Sequence, residues 1–124
     1  MGKILIVDDS VTVRLYHKQI LQNAGYELDE AENGMEALEK TNEENYDICL
    51  VDINMPILDG YSFTKRFREQ SGYGTMIIMI STESEKNDRT MAYEAGANFY
   101  QVKPVSSDEL IASIRFLTAN KNKI

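Results

Sequence analysis

Four apolar runs in this chain stop at residues that can do chemistry. Ile4-Leu5-Ile6-Val7 stops at Asp8-Asp9, and Tyr46 to Val51 stops at Asp52. Thr75 to Ile80 stops at Ser81-Thr82, and Asn98 to Val102 stops at Lys103. Three carboxylates brought together repel one another and disfavour full ionisation. A hard divalent cation resolves that conflict. Mg²⁺ takes near-octahedral oxygens, typically one or two carboxylates, waters and a phosphate. Lys103 adds a second positive charge as a mobile point charge, and Ser81 adds a hydroxyl donor. Metal and lysine together would neutralise charge on a transferring phosphoryl group. Asp9 and Asp52 are rival nucleophiles on these grounds. Asp52 is favoured because it stands singly on the central strand, whereas the Asp8-Asp9 pair suits a metal.

These residues are scattered, so the elements between them must gather them. Lys3 to Val7 reads as a first strand. Ser10 then caps a helix that closes at Gly25, with Val13, Leu15, Ile20 and Leu21 roughly on one face. Tyr26 to Ala31 is a weaker, more polar strand. Asn33 and Glu36 stand at capping-box spacing, with Met35 and Leu38 on one side of the second helix. Tyr46 to Val51 is the third strand. Asp59 caps a helix from about Tyr61 to Gln70. Thr75 to Ile80, an unbroken apolar run, predicts a strand covered on both faces. A fourth helix from about Glu85 to Ala95 stops at Gly96. Asn98 to Val102 is the fifth strand, and Ser106 with Glu109 opens a last helix through about Ala119. Strand and helix alternate five times without a hairpin signal, which predicts right-handed crossovers and a parallel α/β sheet. Ligands of such a sheet gather outside the carboxyl ends of its strands.

The totals narrow the function. The 124 residues suit one domain, read here as 1–124 with no output domain. Twenty acidic residues against thirteen lysines and arginines give a formal charge of −7, which repels phosphate backbones and argues against nucleic-acid binding. No run approaches the ~18 apolar residues of a membrane span. The single Cys49 lies in an apolar run and reads as a small buried hydrophobe. A cytoplasmic monomer is the expectation. His17 on the first helix reads as a surface residue without a metal or phosphotransfer role. Asp29, Asp47, Asp88 and Asp108 read as solvated or capping.

Ile-Leu-Ile-Val-Asp8-Asp9-Ser10, Leu-Val-Asp52-Ile-Asn-Met-Pro56-Ile-Leu-Asp59-Gly60, Ile-Ser81-Thr82 and Tyr100-Gln-Val-Lys103-Pro104 together resemble bacterial response-regulator receiver domains. The resemblance spans essentially the whole chain and is nearest to the stand-alone CheY-like chemotaxis type. It implies a flavodoxin-like, doubly wound (βα)5 sheet of order 2-1-3-4-5. It implies Asp52 as phospho-acceptor, Asp9 as direct Mg²⁺ ligand, Asp8 as a ligand through water, and the Asn54 backbone carbonyl as a further ligand. It makes Ser81 the switch hydroxyl, Lys103 the phosphate-binding lysine and Tyr100 the aromatic that turns inward. Asn54 and Glu83 fall on positions that tune self-dephosphorylation, and Lys103-Pro104 on a cis peptide bond. The implied partners are a sensor histidine kinase and a downstream protein, the flagellar motor switch among the candidates. The fourth helix opens Glu85-Lys86-Asn87-Asp88-Arg89, less basic than in motor-binding members.

Other readings compete. A phosphate sink or a phosphorelay intermediate uses the same residues. A Mg²⁺-dependent aspartyl-phosphate phosphatase of the haloacid dehalogenase type needs Asp-x-Asp, and Asp52-Ile53-Asn54 lacks the second acid. The chain is therefore expected not to be an enzyme, apart from self-catalysed phosphorylation and dephosphorylation. Singly, Asp8-Asp9 could be a helix-start charge pair, Ser81 a cap, Lys103 a solvated lysine and Tyr100 mere packing.

Overall fold

The structure is a computed structural model that describes residues 2–82 and 86–121. Five strands and five helices alternate: β1 (Lys3–Val7), α1 (Val11–Asn23), β2 (Glu27–Ala31), α2 (Gly34–Glu43), β3 (Ile48–Asp52), α3 (Gly60–Ser71), β4 (Met76–Ser81), α4 (Lys86–Ala95), β5 (Phe99–Val102) and α5 (Ser107–Lys121). All strand pairs are parallel, in the order β2-β1-β3-β4-β5. This is the flavodoxin-like (βα)5 sheet expected from the sequence.

The alternation of side chains across each strand sorts the core into two layers. Leu5, Val7, Cys49, Val51, Ile77 and Met79 face α2, α3 and α4, where Leu38, Phe63, Phe67 and Ala92 meet them. Ile4, Ile6, Ile48, Leu50, Ile78 and Ile80 face α1 and α5, packing on Leu21, Leu110, Ile114 and Leu117. β3 is buried along its whole length, whereas the more polar β2 is an edge strand, as its sequence predicts.

The caps fall where the sequence places them. The side chains of Ser10, Asn33 and Asp59 accept from the backbone N–H groups of Val13, Glu36 and Ser62. The Ser106 Oγ accepts from the Glu109 N–H, the first half of a capping box, and donates to the Glu109 carboxylate. The Glu36 carboxylate turns to Lys40, so at Asn33 only the first half of that box is observed.

Two readings of helix faces are corrected. On α1 the buried residues are Arg14, His17 and Leu21, while Leu15 is exposed. His17, read as a surface residue, is 3% exposed. Its i, i+3, i+7 relation to Arg14 and Leu21 sets the inward face; a sorting by polarity alone chose the wrong one. Met35 on α2 is also exposed, and Ala37 with Leu38 forms the buried side.

Candidate functional site

Register brings the site together. Val7 pairs with Val51, so Asp8 follows on β1 level with Asp52 on β3. Asp52 pairs with Ile80, and Ser81 pairs with Val102, which puts Ser81 and Lys103 one step further along the same edge. The Lys103 Nζ donates to Asp8 Oδ2 at 2.9 Å and to Asp52 Oδ1 at 3.0 Å. Oxygens of Asp8, Asp9 and Asp52 lie within 4.8 Å of one another. Chain positions 8, 52 and 103 thus meet through direct contacts, and Asp9 stands at their solvent side, exposed.

Local turns fix these side chains. Asp8 Oδ1 accepts from the Ser10 N–H at 2.9 Å, and the same Ser10 caps α1. After β3 the chain doubles back so closely that Gly60 N–H reaches the Ile53 carbonyl at 2.9 Å. A β-carbon at Gly60 would stand 2.5 Å from the Asp52 carbonyl oxygen, so glycine is required for this approach. Ile57 in the same loop has a positive φ of 71°, a feature that no turn motif in the sequence signals. The Lys103 N–H bonds the Ser81 carbonyl at 2.8 Å, and the Lys103-Pro104 peptide is cis.

Electrostatics at this edge are tense. Burial and the neighbouring Asp8 push the Asp52 carboxyl up to about 6, with Lys103 pulling the other way. Burial alone would lower Lys103, but its bonds to Asp8 and Asp52 outweigh that and raise it. One lysine therefore serves two of the three clustered carboxylates. The donor set, all hard oxygens with one member exposed, fits a divalent cation such as Mg²⁺.

The other expected residues are placed as follows. Ser81 is wholly buried beside the strand end. Asn54 is exposed in the loop after β3. Tyr100 is already inward, 2% exposed, with the Arg89 guanidinium 5.0 Å from its ring centre. Glu83 lies outside the described residues. Cys49 is fully buried, and burial pushes its thiol up to about 12, consistent with an inert hydrophobe.

Sequence reasoning missed two buried cations and one imidazole. Arg14 donates to the Asp8 carbonyl, and Arg68 binds four acceptors at the opposite edge of the sheet. His17 lines an apolar groove with Tyr16, Lys103, Pro104 and Val105, and burial lowers its pKa. The available signal was the i, i+3, i+7 spacing on α1.

A parallel α/β sheet with an acid cluster and a lysine at its carboxyl edge places them where ligands of such sheets bind. The family model of the response regulator receiver domain matches residues 4–115, and the chain belongs to that family. It is similar to chemotaxis protein CheY4 of Vibrio cholerae, at 36% identity and a TM-score of 0.89 over 94% of this chain and 98% of that one. TrrA of Thermotoga maritima, solved with Mg²⁺-BeF, is 37% identical, with a TM-score of 0.85 over 94% and 99% of the two chains. Transcriptional regulatory protein ResD of Bacillus subtilis is 40% identical over 115 residues, which is 93% of this chain and 47% of ResD. The chain spans about half the length of the curated relatives it matches. Among the described residues, no helix is long and apolar enough to cross a membrane.

Proposed function

We propose that residues 1–124 act as a receiver switch of a two-component system, taking a phosphoryl group on Asp52 with Mg²⁺ held by Asp8, Asp9, Asp52 and the Asn54 carbonyl. The observation that carries this reading is the Lys103 ammonium, bonded at once to Asp8 and Asp52 inside a three-carboxylate cluster.

The phosphodonor is the phosphohistidine of a sensor kinase or a small acyl phosphate. A carboxylate oxygen of Asp52 attacks phosphorus in line, forming a new P–O bond while the bond to the donor breaks and its electron pair leaves with the donor. A Mg²⁺ held by Asp8, Asp9 and Asp52 would neutralise charge on the phosphoryl oxygens. Lys103 leaves Asp8 to follow the phosphoryl group, to which it is a mobile ammonium ligand. The acyl phosphate carries roughly −1.5 to −2 charge in place of the carboxylate's single charge, and it brings new acceptor oxygens. Ser81 supplies a hydroxyl to them, and Tyr100, Asn54 and Glu83 respond or tune the lifetime. The α4-β5-α5 face then shifts its population between two partner preferences.

Chemotaxis-type signalling is supported by the likeness to CheY4 over nearly the full length of both chains. A second reading, control of transcription, is favoured by the 40% identity to part of ResD. Incubation with acetyl phosphate and Mg²⁺, read by intact mass and peptide mapping, is expected to add one phosphoryl group at Asp52. Undiminished labelling of Asp52→Asn would refute the assignment.

A further inference from the structure

Asp8 and Asp9 differ in how they are held. The Asp8 carboxylate is fixed by the Ser10 N–H and by Lys103, and its own N–H bonds the Ala31 carbonyl at 3.1 Å. Asp9 is exposed, and among the described residues no side-chain hydrogen bond steadies its carboxylate. The backbone from which it departs is fixed in part by the peptide unit that precedes it, whose oxygen is the Asp8 carbonyl. That oxygen accepts from Arg14 Nη1 at 2.6 Å.

Arg14 is itself built in. Its side chain is 9% exposed, and its Nε reaches Glu30 Oε1 on β2 at 3.1 Å. The other oxygen of Glu30 takes Lys18 at 3.2 Å, and the Glu30 carbonyl takes Lys40. Burial would raise the Glu30 carboxyl, yet Lys18 and Arg14 bring it below its ordinary value, so it stays an anion. A planar guanidinium with donors in fixed directions thus joins α1 to β2 through Glu30 and to the end of β1 through the Asp8 carbonyl.

We infer that Arg14, held by Glu30, is the positioning residue that aims Asp9 for cation capture. This rests on the proposed function, in which Asp9 is a metal ligand. Partners one bond removed from a metal ligand typically govern affinity ~10–100-fold when removed. Loss of Arg14 therefore acts on the cation equilibrium, not on the phosphoryl chemistry once the cation is bound.

The test is calorimetric titration of the full chain with Mg²⁺ alone, alongside urea unfolding and the amide chemical shift of Asp9. Arg14→Gln is expected to weaken Mg²⁺ binding ~10-fold, with Arg14→Lys recovering part of the loss. Glu30→Gln, at a half-exposed carboxylate that the core does not need, is expected to weaken it ~3-fold, and it carries the test if Arg14→Gln fails to fold. Acetyl phosphate labelling of all three variants should return to the wild-type rate at saturating Mg²⁺. Folded variants that lose urea stability but keep the wild-type Mg²⁺ affinity would overturn the inference and leave the proposed function standing. A wild-type chain that takes up no Mg²⁺ would overturn the proposed function, and the inference with it.

Discussion

The two edges of the sheet use buried charge in opposite ways. At the amino-terminal edge Arg68 is surrounded by acceptors: the carbonyls of Gly96, Gly72 and Thr75 and the side-chain oxygen of Asn98, at 2.6–3.1 Å. Asn98 in turn takes the Ile77 N–H, and Asp47 takes the Lys3 N–H. A buried cation with its donors satisfied locks the loops there. At the carboxyl-terminal edge three carboxylates cluster, one ammonium bonds two of them, and burial raises the Asp52 carboxyl. One edge pairs its buried charge with acceptors; the other crowds like charges around one ammonium. Buried charge is compensated at the first edge and left in conflict at the second.

The largest effect separating the edges is expected at Arg68. Arg68→Ala leaves four acceptors without their donor and should cost about 4 kcal/mol by urea unfolding, while Mg²⁺ affinity stays unchanged. Gly60→Ala forces a β-carbon against the Asp52 carbonyl and should cost about 2–3 kcal/mol. Displacing Asp52 in this way should also slow acetyl phosphate labelling ~10–100-fold, unlike Arg68→Ala.

Asp52→Asn should do the reverse and stabilise the metal-free protein, by about 1–2 kcal/mol at pH 7. The folded carboxyl, raised to about 6, binds its proton more tightly than in the unfolded chain. Wild-type stability then falls as pH rises from about 4 through about 6, and the advantage of the amide grows over that window. Below about pH 4, where both side chains are neutral, the two proteins should unfold alike. The smallest effect belongs to Tyr46→Phe, which removes the hydroxyl bond to Asp29 at 2.6 Å and should cost about 1 kcal/mol without touching the carboxyl edge. An equal pH dependence in Asp52→Asn and wild type would erase the contrast between the edges.

The carboxyl edge was legible in the sequence because apolar runs ending in Asp8, Asp52, Ser81 and Lys103 mark strand ends directly, and parallel topology makes strand ends neighbours. The order of the strands came from the family resemblance, since alternation alone does not fix which strand is central. The supporting cations were not legible. Arg14, His17 and Arg68 sit on helix faces that polarity assigns to solvent, and only the three-dimensional arrival of carbonyl oxygens makes burial of a guanidinium favourable. Leu15 and Met35 show the converse, apolar side chains left exposed because the helix phase is set by other residues.

The most direct test is a carbon NMR titration of the Asp52 carboxyl, without and with saturating Mg²⁺. The metal-free carboxyl is expected to titrate near 6, and cation binding to pull it down by more than one pH unit. A metal-free value near 4 that Mg²⁺ leaves unmoved would contradict the account of an edge held in tension for a cation and a phosphoryl group.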